Sequence, residues 1–156
     1  MQQQVDVQKV YRASKIISVA MLVSVLVYPV IVEFMKRTHQ PFEGFAPQNA
    51  VRLPDIFYGL ALLSLVGIRV VRKAILKRSA GDDLKTLVAK LHISNIATYA
   101  LSEVPAILGL VLFLIGGYTS QFYALLLFAL LLMVLYFPKL VYWEAWLRKM
   151  GGYRSS

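Results

Sequence analysis

Apolar residues fall into four long blocks separated by short polar stretches. The blocks run from about Ile16 to Met35, Pro54 to Val71, His92 to Gly116 and Phe122 to Tyr142. Each reaches or approaches the roughly 20 residues of helix needed to cross a hydrocarbon core. With their polar flanks, the predicted helices cover about 16–35, 54–71 with an extension to 78, 82–116 and 122–147. The fold class this predicts is all-α, an integral membrane four-helix bundle forming one domain over 1–156. The first block is too long, and lacks the small-residue cleavage pattern, for a removable signal peptide. It is expected to remain as an anchor.

The polar stretches carry their own signals. In "VVRKAILKRSAGDDLKTLVAKLH" the one strong breaker is Ser79-Ala80-Gly81, followed by Asp82 and Asp83. Carboxylates at that point suit a helix N-terminus, where they accept orphan amide hydrogen bonds and match the dipole. The second and third helices should therefore project beyond the apolar layer as a helical hairpin. The first connection, "KRTHQPFEGFAPQNAVRLPD", is too short for a domain and is expected to pack over the bundle's outer end. Pro54 and Asp55 read as the first turn of the second helix, where proline loses no needed hydrogen bond. His39, Glu43 and Glu33 share this region, but their spacing fits no recognised metal site.

Composition agrees with the blocks. Hydrophobic residues make up 58% of 156 and charged residues 16%, against about 25% charged in a soluble domain. Mean hydropathy is +0.63. With no cysteines, disulfides, thiolate metal sites and cysteine catalysis are excluded. The net charge of +9 follows topology rather than marking a nucleic-acid partner. Fourteen of the 17 Lys and Arg residues lie in the N-terminal tail, around the second connection or at the C-terminal end. Lys36, Arg37 and Arg52 lie on the opposite side. By the positive-inside rule both termini are cytoplasmic, and a bacterial inner membrane is the expected location of this multi-pass chain. Tyr and Trp residues cluster at both ends of the fourth block, as interfacial rings do. The cationic group Arg72, Lys73, Lys77 and Arg78 is placed to contact anionic lipids or an acidic partner.

One residue breaks the apolar pattern. Glu103 sits mid-helix in "ATYALSEVPAILGLVLFLIGG", where a charged group costs about 2.5–3.5 kcal/mol if it faces the bilayer centre. It should face protein or water instead. Pro105 cannot donate to the carbonyl of Leu101, so a kink is expected that frees that acceptor beside the acid. Tyr99, one turn earlier, and Ser102 complete the polar surroundings. Asn95, Thr98, Ser102, Ala106 and Gly109 recur at steps of three or four, a small and polar face of the kind used for close packing of membrane helices.

The segment "LSEVPAILGLVLFLI" resembles the carboxylate-bearing helix of the proteolipid c subunit of rotary ATPases. The similarity extends over at most residues 59–115. The resemblance implies that Glu103 binds a proton or cation, and the polar hairpin preceding an outward-running acidic helix has the same direction as in that family. Overall the chain is similar to four-helix bacterial membrane proteins with an "AL.E.PAI.GL" type of segment, a likeness that supplies no function.

No phosphate-binding glycine loop, paired-histidine motif, Ser/His/Asp arrangement or dinucleotide fingerprint is present. An enzyme is not expected, nor any cofactor. Two readings follow. In the first, the chain is a structural or accessory subunit of a membrane complex, with Glu103 at a helix interface; the partners are the bilayer, copies of the chain in a homo-oligomer, or other membrane subunits. In the second, Glu103 is a proton or cation site, with Tyr99, Ser102 and Leu101 around it.

Overall fold

In a computed structural model the chain is helical, with no strand among the described residues, which are 2–47, 52–77, 79 and 82–149. Five helices follow one another: α1 (Gln2–Thr38), α2 (Leu53–Ile75), α3 (Leu84–Gly116), α4 (Thr119–Leu135) and α5 (Leu140–Lys149). α1, α2 and α3 are each long and apolar enough to cross a membrane. A fourth such span exists if α4 and α5, bent by 55° at their junction, are counted together.

That bend departs from the continuous helix expected over 122–147. Pro138 has no amide hydrogen to continue the ladder, and its ring drives the preceding Phe137 out of helical geometry. α4 closes with the Tyr136 amide on the Leu132 carbonyl, and α5 begins two residues after the proline. α1 also differs, beginning at Gln2 rather than near 16. At 1.5 Å per residue, its 37 residues and the 33 of α3 measure about 55 and 50 Å, against a hydrocarbon layer of roughly 30 Å.

α3 is the hub, packing against α4, α2 and α1, whereas α1 and α2 barely meet. The reason is visible in α1, whose inward residues follow a seven-residue repeat. Val7, Ser14, Met21, Tyr28 and Met35 form one row, with Tyr11, Ser18, Val25 and Val32 between them; all are buried or half-buried. A repeat of 3.5 keeps one narrow seam against one neighbour. Between Ile16 and Phe34 the outer side of α1 is mainly apolar and exposed, including Ile16, Val23, Val30 and Phe34.

Two cores result. The larger joins Val25 and Val32 of α1, Tyr99, Ala106 and Phe113 of α3, and Phe122, Ala129 and Met133 of α4. A second, at the opposite end, packs Val7 of α1, Leu87, Val88 and Leu91 of α3, and Trp143 and Leu147 of α5. The N-terminal extension of α1 thus has a purpose, since it covers the first turns of α3 and meets α5. Tyr11 donates to the carbonyl of Pro138 at 3.2 Å and its ring meets Trp143 edge-on.

Both connections are held by named contacts. Asp83 caps α3 by accepting from the Thr86 amide at 2.8 Å, and hydrogen bonding from the Thr86 side chain, then its amide, holds the Asp83 carboxyl below the usual range. Asp82 accepts from the Ser79 amide and, at 2.6 Å, from Lys90. The first connection folds over the far end of α3, where the amides of Phe45 and Ala46 bond the carbonyls of Leu114 and Ile115. Those carbonyls are among the four that a helix C-terminus leaves unpaired. Gly44 is required there, because at φ 89° a β-carbon would stand 2.3 Å from the Ile115 oxygen. Phe42 stacks on Phe113 at 4.7 Å between ring centres.

Candidate functional site

Glu103 lies half-buried on α3 beside α1, and its Oε1 accepts a hydrogen bond from the Tyr28 hydroxyl at 2.5 Å. Ser24 is one turn before Tyr28 on α1 and is exposed. Pro105, buried in the helix, is two residues beyond the acid.

Tyr99 does not take the place expected of it at Glu103. Its hydroxyl donates to the Met133 carbonyl of α4 at 2.9 Å, and the whole side chain is buried. Four residues apart on a helix, the two side chains share only part of a face, and Tyr99 points into the α4 side. Tyr28 supplies the phenol instead, from a different helix. The signal for it in the sequence was the seven-residue repeat of α1, in which Tyr28 occupies an inward position.

The other predicted residues separate into distinct settings. Ser102 donates to the Thr98 carbonyl at 2.8 Å, and Thr98 to that of Ser94 at 2.7 Å, so both hydroxyls are spent within α3. Leu101 points toward α2, its side chain 3.9 Å from where a β-carbon on Gly67 would stand. Ala106 is in the larger core. Gly109 lets α4 approach, since a β-carbon there would be 3.1 Å from the Leu125 side chain and 3.1 Å from the Phe122 carbonyl. Asn95 reaches across to α1 and donates to Ser18 at 3.1 Å.

Asn95 belongs to a polar line along the α1–α3 seam. Ser14 and the His92 Nδ1 are 2.6 Å apart, Ser18 donates to the Ser14 carbonyl at 2.9 Å, and Asn95 and Tyr99 both neighbour the Ser18 hydroxyl. The line runs from His92 through Ser14 and Ser18 to Asn95, and the Tyr28–Glu103 pair is a separate bond further along the same two helices. Beyond it, Glu33 receives Tyr123 at 2.7 Å and Lys36 at 3.0 Å. Among the described residues every buried side-chain nitrogen or oxygen has a partner, and no three His, Asp or Glu side chains are grouped to hold a metal.

The cationic group is dispersed. Arg72 lies over the Tyr136 ring at 5.3 Å, which ties α2 to the end of α4 by a cation–π contact. Lys73 and Lys77 are exposed, and Arg78 lies outside the described residues.

On the side of α3 away from α4 there is no covering helix. Ala89, Ile93, Ala100 and Ile107 form an exposed stripe at helical spacing, with Ile93 54% and Ile107 44% exposed. Glu103 borders that stripe, because it lies one turn from both Ala100 and Ile107. In comparisons with known proteins, no family model, curated protein or solved structure matches the chain.

Proposed function

We propose that the chain is a multi-pass membrane protein, with both ends and the 76–83 connection on the cytoplasmic side, that serves as an accessory subunit of a membrane complex. α1, α2, α3 and the bent α4–α5 pair form a four-helix bundle across the bilayer, and Pro138 lies near the inner surface. The cationic end of each helix then stays in the cytoplasm.

The observation that carries the reading is the half-exposed Glu103 at the border of the uncovered stripe on α3. One phenol satisfies one oxygen, and an acid partly open to hydrocarbon is unfavourable unless another polar group meets it. The occupant is an apolar helix of a second polypeptide that bears a hydroxyl or amide donor at the depth of Glu103. Small Ala100 permits close approach there, as small residues do in membrane helix packing.

Photocrosslinkers placed at Ala100 and Ile107, with one at the exposed Leu131 of α4 as control, test this in cells. A single stoichiometric adduct from the α3 positions, absent from Leu131 and lost in Glu103→Leu, is expected. Adducts to lipid alone, or to a second copy of the chain, overturn the accessory-subunit form.

A second reading rests on the Tyr28–Glu103 bond. In that reading Glu103 exchanges a proton, as the resemblance to the c-subunit helix implies. Labelling by a hydrophobic carbodiimide, which reacts with a protonated carboxyl, should then fall with rising pH and vanish in Glu103→Gln. Absence of labelling at every pH removes this alternative.

A further inference from the structure

A cleft of about 750 Å³ opens where the N-terminal extension of α1 crosses the first turns of α3. It is far from Glu103 and separate from the Arg72–Lys77 group. Lys9 of α1 and Lys85 of α3, both exposed, flank it, while Val10, Leu84, Val88 and Ala89 give it an apolar surface. His92 stands at the end nearest the polar line with its Nδ1 already engaged by Ser14. Its other ring nitrogen remains for a ligand.

The geometry points to a binding site for a singly anionic membrane phospholipid, with the phosphodiester between Lys9 and Lys85 and an acyl chain leaving along Ala89 and Ile93. Three observations lead to this occupant. The lining combines cations with an apolar surface, the pairing that an amphiphile presents and a soluble phosphate ester does not. Its formal charge, counting Lys9, Lys85 and the third charged group Asp83, is +1, which one phosphodiester balances. Asp83 itself is turned to the helix cap through Thr86 and leaves the two ammonium groups to the phosphate. Finally, Ala89 both lines the cleft and begins the exposed stripe of α3, so the apolar path continues toward the bilayer. The inference rests on the membrane reading above, though not on the accessory role.

Native mass spectrometry of the full chain in mild detergent tests it, with phosphatidylglycerol and phosphatidylcholine titrated separately. The expected result is one phosphatidylglycerol held about 30-fold more tightly than in Lys9→Gln/Lys85→Gln, two surface lysines each contributing at the usual scale. Arg72→Gln/Lys73→Gln should leave that first lipid in place. Equal retention of the two lipids, or no loss in the Lys9/Lys85 variant, overturns the site. Displacement by millimolar glycerol phosphate overturns the lipid assignment in favour of a soluble phosphate ester. Alkaline carbonate extraction of membranes separates the premises: a chain released by carbonate fails the membrane reading, and one retained without lipid preference fails this inference alone.

Discussion

α3 meets α1 and α2 by opposite means. Against α1 it uses hydrogen bonds between side chains, through His92 with Ser14, Asn95 with Ser18 and Glu103 with Tyr28. Against α2 it uses shape, with Ala61 and Ile68 buried, Gly67 facing Leu101, and Ser64 bonding back to the Ala61 carbonyl of its own helix. In the proposed membrane setting, apolar burial gives helices little reason to associate, so packing and interhelical hydrogen bonds must do so. The α2 seam draws on the first and the α1 seam on the second. Only the second fixes rotation and register, because each bond demands a particular pair.

The widest difference should come from cutting packing on the α2 side. Ile68 is fully buried, and Ile68→Ala is expected to cost about 2–4 kcal/mol, the range for opening a cavity in a close-packed interior. Unfolding by SDS titration in mixed micelles measures it. A cost below about 1 kcal/mol would mean that α2 repacks freely and that shape does not hold the seam.

Tyr28→Phe is next in size and removes the bond to Glu103 while keeping the ring. An interhelical hydrogen bond in a membrane contributes about 0.6 kcal/mol on average and up to about 1.7. The upper part of that range is expected here, since the acid is left without its phenol. Glu103→Gln, which keeps an acceptor for Tyr28, should cost less than Tyr28→Phe in the same titration. The reverse order would show that charge rather than hydrogen bonding governs the pair.

Much of this architecture was legible in the sequence, and the parts that were not have physical reasons. Apolar block length located three long helices, and Asp83 marked the start of α3 because an N-cap is a local property of a few residues. The α4–α5 break was local too, in Phe137-Pro138, but an apolar block that continues through a proline hides it. The early start of α1 was masked by its polar first turns, in which Lys9 and Arg12 are exposed and Val7 and Ser14 are buried. At the site, Glu103 stood out as an acid in an apolar run. Its partner did not, because pairing across 75 residues depends on the rotation of two helices. Tyr28 and Tyr99 are equivalent by composition; only the seven-residue repeat of α1 separates them.

The smallest expected effect is the most discriminating, because it compares the same deletion on the two sides of α3. Ser18 and Ser64 are both buried serines that bond a carbonyl of their own helix, at Ser14 and Ala61. Ser18 alone also accepts from a neighbouring helix, through Asn95. Ser64→Ala should therefore change stability by less than about 0.5 kcal/mol, the loss being confined to one helix whose carbonyl already has a backbone donor. Ser18→Ala should cost more, and a double-mutant cycle with Asn95→Ala should return a coupling of about 0.6 kcal/mol. Since Asn95 loses only its link to α1 in that cycle, the coupling isolates the contact between helices. A coupling near zero at Ser18, matching Ser64, would make the polar line a set of separate intrahelical bonds and leave packing to hold both seams.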